Sequence, residues 1–186
     1  MGWRVSWYKA DKEKPLNITF EKEDNYPNIE INGTRLLYDS ATDIWCNLKG
    51  KEDFEKEIVC LFEDDDCDYY SITKNGLKMI ILAIRQRIIN HLKKVIELAE
   101  NPELKEKDEY RFIQDPLALA HQDLREWEYC WTGEDDEKHF LNISLNTPVD
   151  EIGISTSWMY KYGIYDLIEM YKYFDWENKT MVVYGG

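Results

Sequence analysis

The chain has 186 residues and a formal net charge of −14, because 37 acidic residues outnumber 23 basic ones. Hydrophobic residues make up 44% and aromatic residues 14% of the sequence, a composition that excludes intrinsic disorder and predicts a real core. The acidic excess repels nucleic acid and anionic membranes and attracts basic molecules, so we expect no direct binding to nucleic acid or membrane.

The first 62 residues carry short runs typical of β-strands. Trp3–Tyr8 and Leu16–Phe20 are aromatic or β-branched. Asn32-Gly33 separates two further runs and predicts a hairpin, because a type I′ turn needs positive φ at both central residues. Ile58–Phe62 is apolar and is predicted to be a buried strand. Together these runs favour an N-terminal β-meander.

The next segment, Gly76–Glu100, has apolar residues at helical spacing over a wide face. We expect Asn101-Pro102 to end this helix, because proline disfavours helical backbone in the residue before it. The wide face predicts a central helix contacted on more than one side. The main apolar stripe consists of Leu77, Ile81, Ile84, Ile88, Leu92, Val95 and Ala99.

Two shorter helices and further strands are predicted in the last third. Asp115-Pro116 provides an N-cap and an N1 proline for one helix, and Ile164–Phe174 is amphipathic. The predicted class is therefore α+β, as one compact domain over residues 1–186, with a mostly antiparallel sheet packed on the long central helix. The predicted strands run through Phe140, Ile143 and Leu145, through Ile152–Thr156 and through Thr180–Tyr184.

The most acidic run of the sequence resembles the start of a calcium loop. Asp64, Asp66 and Asp68 have the spacing of its first three ligands, but Tyr69 stands where glycine is needed and Asn75 where a bidentate glutamate is needed. We therefore favour a solvated acidic turn over a metal site.

No catalytic signature is present. The sequence has no GxSxG, Walker or GxGxxG motif, and its three histidines have no HExxH spacing. The four cysteines have no CxxC spacing and are expected to be reduced and mostly packed as small hydrophobes. We expect no cofactor and no bound metal, and we favour a non-enzyme. Because the N-terminal residues lack a signal-peptide pattern, the expected compartment is the cytoplasm.

The leading hypothesis is an acidic inhibitor, immunity-type or anti-defence protein of bacterial or phage origin. It would dock on a basic protein partner, such as a nuclease or a nucleic-acid-binding surface, by covering it or by mimicking nucleic-acid charge. Aromatic residues crowd the segment after Ser157 and would act as anchors, although core packing explains them equally well. The candidate partner-binding residues are Glu63, Asp64, Asp65, Asp66, Asp68, Glu134, Asp135, Asp136, Glu137, Trp158, Tyr160 and Trp176.

Two alternatives stay open. Six basic residues and no acidic one lie between Lys74 and Lys94, and we favour their neutralisation by acidic segments of the same chain. A second function class is a nucleotide-like small-molecule binding protein or enzyme, with a pocket between the sheet and the 76–100 helix. Its ligand-binding residues would be Lys78, Arg85 and His121. A third is an assembly subunit that forms a homo-oligomer.

Overall fold

A computed structural model describes residues 4–20, 27–110 and 164–186. Over these ranges the chain forms seven strands and four α-helices, which confirms the α+β class. Two short 3-10 turns, Pro102–Glu106 and Asp108–Tyr110, follow the longest helix. In chain order the elements are β1 (Val5–Asp11), β2 (Leu16–Phe20), β3 (Pro27–Ile31), β4 (Gly33–Leu37), α1 (Thr42–Leu48), α2 (Glu52–Glu55), β5 (Ile58–Glu63), β6 (Asp68–Ile72), α3 (Lys74–Glu100), α4 (Ile164–Tyr173) and β7 (Lys179–Gly185).

Five strands form one antiparallel sheet in the order β4-β1-β7-β6-β5, and β2 and β3 form a separate two-stranded sheet. The predicted strands at Leu16–Phe20 and Thr180–Tyr184 are confirmed. The predicted meander is wrong, because β1 pairs with β4 and β7 instead of with β2. The first 62 residues are also not purely β, since they contain α1 and α2.

The predicted hairpin at Asn32-Gly33 is also wrong. These residues carry the chain from β3, which pairs with β2, to β4, which pairs with β1. The Asn32 side-chain amide donates to the Lys14 carbonyl at 2.8 Å, and its backbone N–H donates to the Pro15 carbonyl at 2.9 Å. A Cβ at position 33 would lie 2.7 Å from the Ala10 Cα. Glycine is needed there for close approach of two backbones, and its φ is not positive.

The chain divides into two compact units. One consists of Met1–Ile81 and Glu169–Gly186 and is called the sheet unit below, and the other is Leu82–Ile168. Helix α3 covers the predicted helix and ends before Asn101-Pro102 as expected. The single domain over 1–186 and the central position of that helix stay predictions.

On one face of the sheet, aromatic rings form the core of the sheet unit. Trp45 of α1 meets Trp7 of β1 edge-on at 6.4 Å between ring centroids, and Phe54 of α2 at 5.5 Å. All three side chains are buried. Edge-to-face pairs of this kind contribute to stability in addition to the contribution from their buried area. One tryptophan therefore attaches two short helices to the sheet.

The two-stranded sheet covers the other face. Ala10, Tyr69 and Val182 are buried there, and alternation along the strands places them opposite Trp7 and its neighbours. Residues of β2 and β3 pack on this cluster, including Leu16, Ile29 and Ile31. The middle strands are therefore buried on both faces, and the β5–β6 hairpin forms one edge of a well-packed sheet.

Further along the chain, the predicted helix Ile164–Phe174 is confirmed as α4. The helix predicted at Asp115-Pro116 and the strands predicted around Phe140–Leu145 and Ile152–Thr156 lie outside the described residues. None of the helices in the described ranges combines the length and the hydrophobicity that a membrane crossing requires.

Candidate functional site

The acidic run lies at the turn of the β5–β6 hairpin. Glu63 pairs with Asp68 and Ile58 with Ile72, so residues 64–67 form the connection. Ile58–Phe62 is a strand as predicted, but its predicted burial is wrong for Val59, which is 60% exposed, and for Cys60, which is also exposed. Among the described strands, β5 pairs with β6 alone. Strand β6 was not predicted, although tyrosines favour strands.

Four consecutive exposed carboxylates, those of Glu63–Asp66, form the feature that we call the acidic tip. The Asp64 carboxylate accepts the backbone N–H groups of Asp66 and Cys67, both at 2.9 Å, and these bonds lower the pKa of Asp64. Asp65 and Asp66 form no ion pair with any residue in the described ranges. The turn is thus ordered by one of its own charges, and the carboxylates of Asp65 and Asp66 face water.

The lowered pKa of Asp64 also sets the direction of its pH dependence. Its contribution to stability is present above the ordinary aspartate pKa and is lost as pH falls through the lowered value. The acidic tip therefore keeps this charge into mildly acidic solution.

Asp68 is not part of the exposed surface, contrary to the expectation that it faces a partner. Its residue is 5% exposed, and its carboxylate accepts from the Lys49 ammonium at 2.7 Å. Lys49, just after α1, also lies 3.7 Å from Glu63 and 4.7 Å from the centroid of the Tyr70 ring. Burial would lower the pKa of Lys49, but its hydrogen bonds to Asp68 and Tyr70 outweigh this and raise it. This ion pair anchors the base of the hairpin.

An open cleft of about 560 Å³ lies beside this ion pair. Its carboxylates already have partners: Glu55 accepts the Gly50 N–H at 2.5 Å and Asp68 accepts from Lys49. Partial desolvation by neighbouring groups, and then the charge of Asp43, raises the pKa of the Cys46 thiol, which disfavours the nucleophilic thiolate. The cleft therefore offers no activated group. Its lining residues are Trp45, Cys46, Lys49, Gly50, Glu55 and Asp68.

The partial calcium pattern does not assemble into a ligand set. Asp64 is occupied by backbone N–H groups and Asp68 by Lys49. Throughout the described parts of the chain, no group of three or more His, Cys, Asp or Glu side chains is arranged to hold a metal ion.

The described cysteines are free thiols, as expected, but their predicted packing is wrong for two of them. Cys46 and Cys60 are exposed, and Cys67 is half-buried. Cys130 lies outside the described residues.

We expect Cys67 to react slowly with alkylating agents at neutral pH. Burial, followed by its hydrogen bond to Asp64 and the charge of that residue, raises the pKa of Cys67 to about 11. An ordinary thiol has a pKa of about 8.5. Because thiolate is the reactive form, the rate of iodoacetamide labelling at Cys67 should keep rising well above that pH. Peptide mapping of the labelled protein measures the labelling rate at Cys67. A rate that levels off near pH 8.5 would contradict this environment.

Trp176 is half-buried and not a fully exposed anchor. Its ring packs on Phe174 with 4.5 Å between centroids, and its carbonyl accepts from the Lys12 ammonium at 3.3 Å. The other candidate partner-binding residues lie outside the described residues, so their roles stay predictions. They are Glu134, Asp135, Asp136, Glu137, Trp158 and Tyr160.

The residues of the small-molecule alternative are not gathered by the described structure. Lys78 is half-buried in the first part of α3, and Arg85 lies two turns farther along that helix. His121 lies outside the described residues. This alternative therefore stays a prediction.

Comparison with known proteins adds no relative to this picture. No family model, curated protein or solved structure matches the chain.

Proposed function

We propose that this protein is a non-catalytic acidic binding protein of the inhibitor or immunity type, which docks through its acidic tip on the basic surface of another macromolecule. The observation that carries the proposal is the exposure of four consecutive carboxylates at the end of one hairpin. Within a Debye length of about 8 Å at physiological salt, neighbouring charges act together on an approaching cation.

A rigid base supports this presentation of charge. The ring centroid of Tyr69 lies 6.3 Å from that of Phe62 and 4.8 Å from that of Tyr184 in β7, the middle strand. The Lys49–Asp68 pair lies where the turn ends and β6 begins. Charges held on a rigid element need less ordering when a partner binds, so more of the attraction appears as affinity.

Two other groups of acidic residues in the sheet unit have a lysine within ion-pair distance. Lys56 lies 3.1 Å from Glu52 and 3.3 Å from Asp53, and Lys179 lies 2.8 Å from Asp11. Asp65 and Asp66 have no such cation among the described residues. Of these three groups, the acidic tip is thus the one where a basic partner would gain most from approach.

The test compares two double variants that remove the same charge. Asp65→Asn/Asp66→Asn removes two negative charges from the tip, and Glu52→Gln/Asp53→Asn removes two from α2, where Lys56 already pairs with them. The probe is an oligolysine of about 20 residues, titrated by calorimetry at low and at physiological salt. Exposed ion pairs contribute about 0.2–1 kcal/mol each. Two contributions from the middle of that range total about 1.2 kcal/mol, so we expect the tip variant to bind about five- to tenfold more weakly.

The α2 variant should bind within about twofold of the wild type, and the salt dependence should be smaller for the tip variant alone. Equal losses for the two variants would mean that oligolysine responds only to net charge. That result would contradict a role for the tip.

A further inference from the structure

The open edge of the five-stranded sheet carries a further inference about how the partner binds. In the described ranges, β5 pairs with β6 on one side and with no strand on the other. Val59 and Cys60 are exposed, and β5 contains no proline and no charged residue before Glu63 at its end. Charges and prolines are what natural edge strands use to prevent pairing, so this edge is unusually open to another strand.

The hydrogen-bond pattern identifies which backbone groups are available. The Thr73 N–H donates to the Glu57 carbonyl at 2.9 Å, which makes residues 57 and 73 a hydrogen-bonded pair of the antiparallel ladder. Such pairs alternate with pairs that make no bonds to each other. The N–H and C=O groups of Ile58 and Cys60 therefore point away from β6. A register shift follows between Cys60 and Phe62. The regular part of the edge therefore runs from Ile58 to Cys60.

The edge and the acidic tip are continuous. Glu63 is three residues beyond Cys60, a distance of about 10 Å along a strand. An extended segment bound to Ile58 and Cys60 would run directly alongside four exposed carboxylates. Basic side chains on that segment would meet opposite charge, whereas a second copy of this chain would bring another net −14 against the first.

We propose that β5 receives an extended basic segment of the partner as a sixth strand, with lysine or arginine side chains on the acidic tip. Backbone hydrogen bonds would supply affinity and the carboxylates would select the partner's charge, which is the general mode of strand addition. The inference rests on the proposed function and adds the conformation of the bound segment.

The experiment uses the full-length protein and an eight-residue peptide that alternates valine and lysine. A matched peptide has N-methyl groups on alternate backbone nitrogens, which removes the edge donors and keeps all charges. We expect the methylated peptide to bind at least tenfold more weakly to the wild type. Cys60→Pro, which removes an outward-facing N–H, should weaken the unmethylated peptide similarly, while Cys60→Ser should stay within about twofold.

The outcomes separate the two proposals. If Asp65→Asn/Asp66→Asn weakens binding but N-methylation does not, strand addition is overturned and recognition of charge by the tip stands. If neither the peptide nor oligolysine binds at low salt, the proposed function is lost and this inference with it. If Cys60→Pro fails to fold by circular dichroism, the methylated peptide on the wild type decides alone. A dimer in sedimentation that Cys60→Pro abolishes would make a second copy the occupant and overturn the proposal.

Discussion

Replacing Phe54 with alanine is expected to lower the free energy of unfolding by about 3–5 kcal/mol. Phe54 is 0% exposed, and its ring meets Trp45 edge-on at 5.5 Å. It belongs to a four-residue helix that is too short to be stable without tertiary contacts. Truncation of the ring also leaves a cavity that the surrounding core fills only in part. Urea denaturation followed by far-ultraviolet circular dichroism measures the loss.

Phe20→Ala is the matched control, because the same atoms are removed from a side chain that is 70% exposed. Its expected cost is below about 1 kcal/mol. The pair of variants isolates burial from residue type. Similar losses for both, or a loss below about 1 kcal/mol for Phe54→Ala, would contradict the aromatic core between α1, α2 and the sheet.

Replacing Lys49 with methionine is expected to destabilise the protein by about 2–3 kcal/mol at neutral pH. Methionine keeps an unbranched apolar stem but leaves the buried Asp68 carboxylate without its cation. Breaking a fully buried pair costs about 3–5 kcal/mol, and the Lys49 side chain, at 32% exposure, is only partly buried. Urea denaturation of the single variant measures this cost.

The double variant Lys49→Met/Asp68→Asn should recover at least half of that loss, because the unpaired charge is gone. The difference between wild type and Lys49→Met should also shrink in strongly alkaline solution. The raised pKa of Lys49 means that its contribution is complete below about pH 10.4, the ordinary lysine value, and declines as pH rises through the raised value. A double variant less stable than the single one would contradict the ion pair as the cause.

Local composition was sufficient for elements whose own residues decide their structure. Leu16–Phe20 contains the β-branched residues Ile18 and Thr19 and the aromatic Phe20, and it forms β2. The helix after Thr73 has apolar positions at a period that only a helix satisfies. Thr73 also caps it, since its hydroxyl accepts the Gly76 N–H at 3.1 Å. Such signals lie within one turn or one strand and need no knowledge of distant contacts.

Pairing partners and short helices could not be predicted in this way. Asn32-Gly33 is a strong turn signal, yet Lys14 and Pro15 bind Asn32 and direct the chain into another sheet. Helix α1 has only seven residues, and its signal was the spacing of Ile44, Trp45 and Leu48, which are all buried. Its N-cap residue is in left-handed conformation without a side-chain cap, so the usual start signal is missing.

The sequence was sufficient to locate the acidic run, but not to predict which of its carboxylates are exposed and which is buried. A run of like charges predicts a solvated turn, and Asp65 and Asp66 conform to that expectation. Asp68 departs from it because Lys49, 19 residues earlier, reaches it once α1 is packed on the sheet. No spacing rule relates two residues joined only by that packing.

Amide chemical-shift mapping of the wild-type protein with oligolysine identifies the residues that a basic ligand contacts. We expect the largest shifts in the proton–nitrogen spectrum on residues 63–67 and smaller ones along β5, and we expect all of them to vanish at high salt. Shifts of equal size on Glu52–Glu55, or shifts centred away from the β5–β6 hairpin, would contradict docking through the acidic tip.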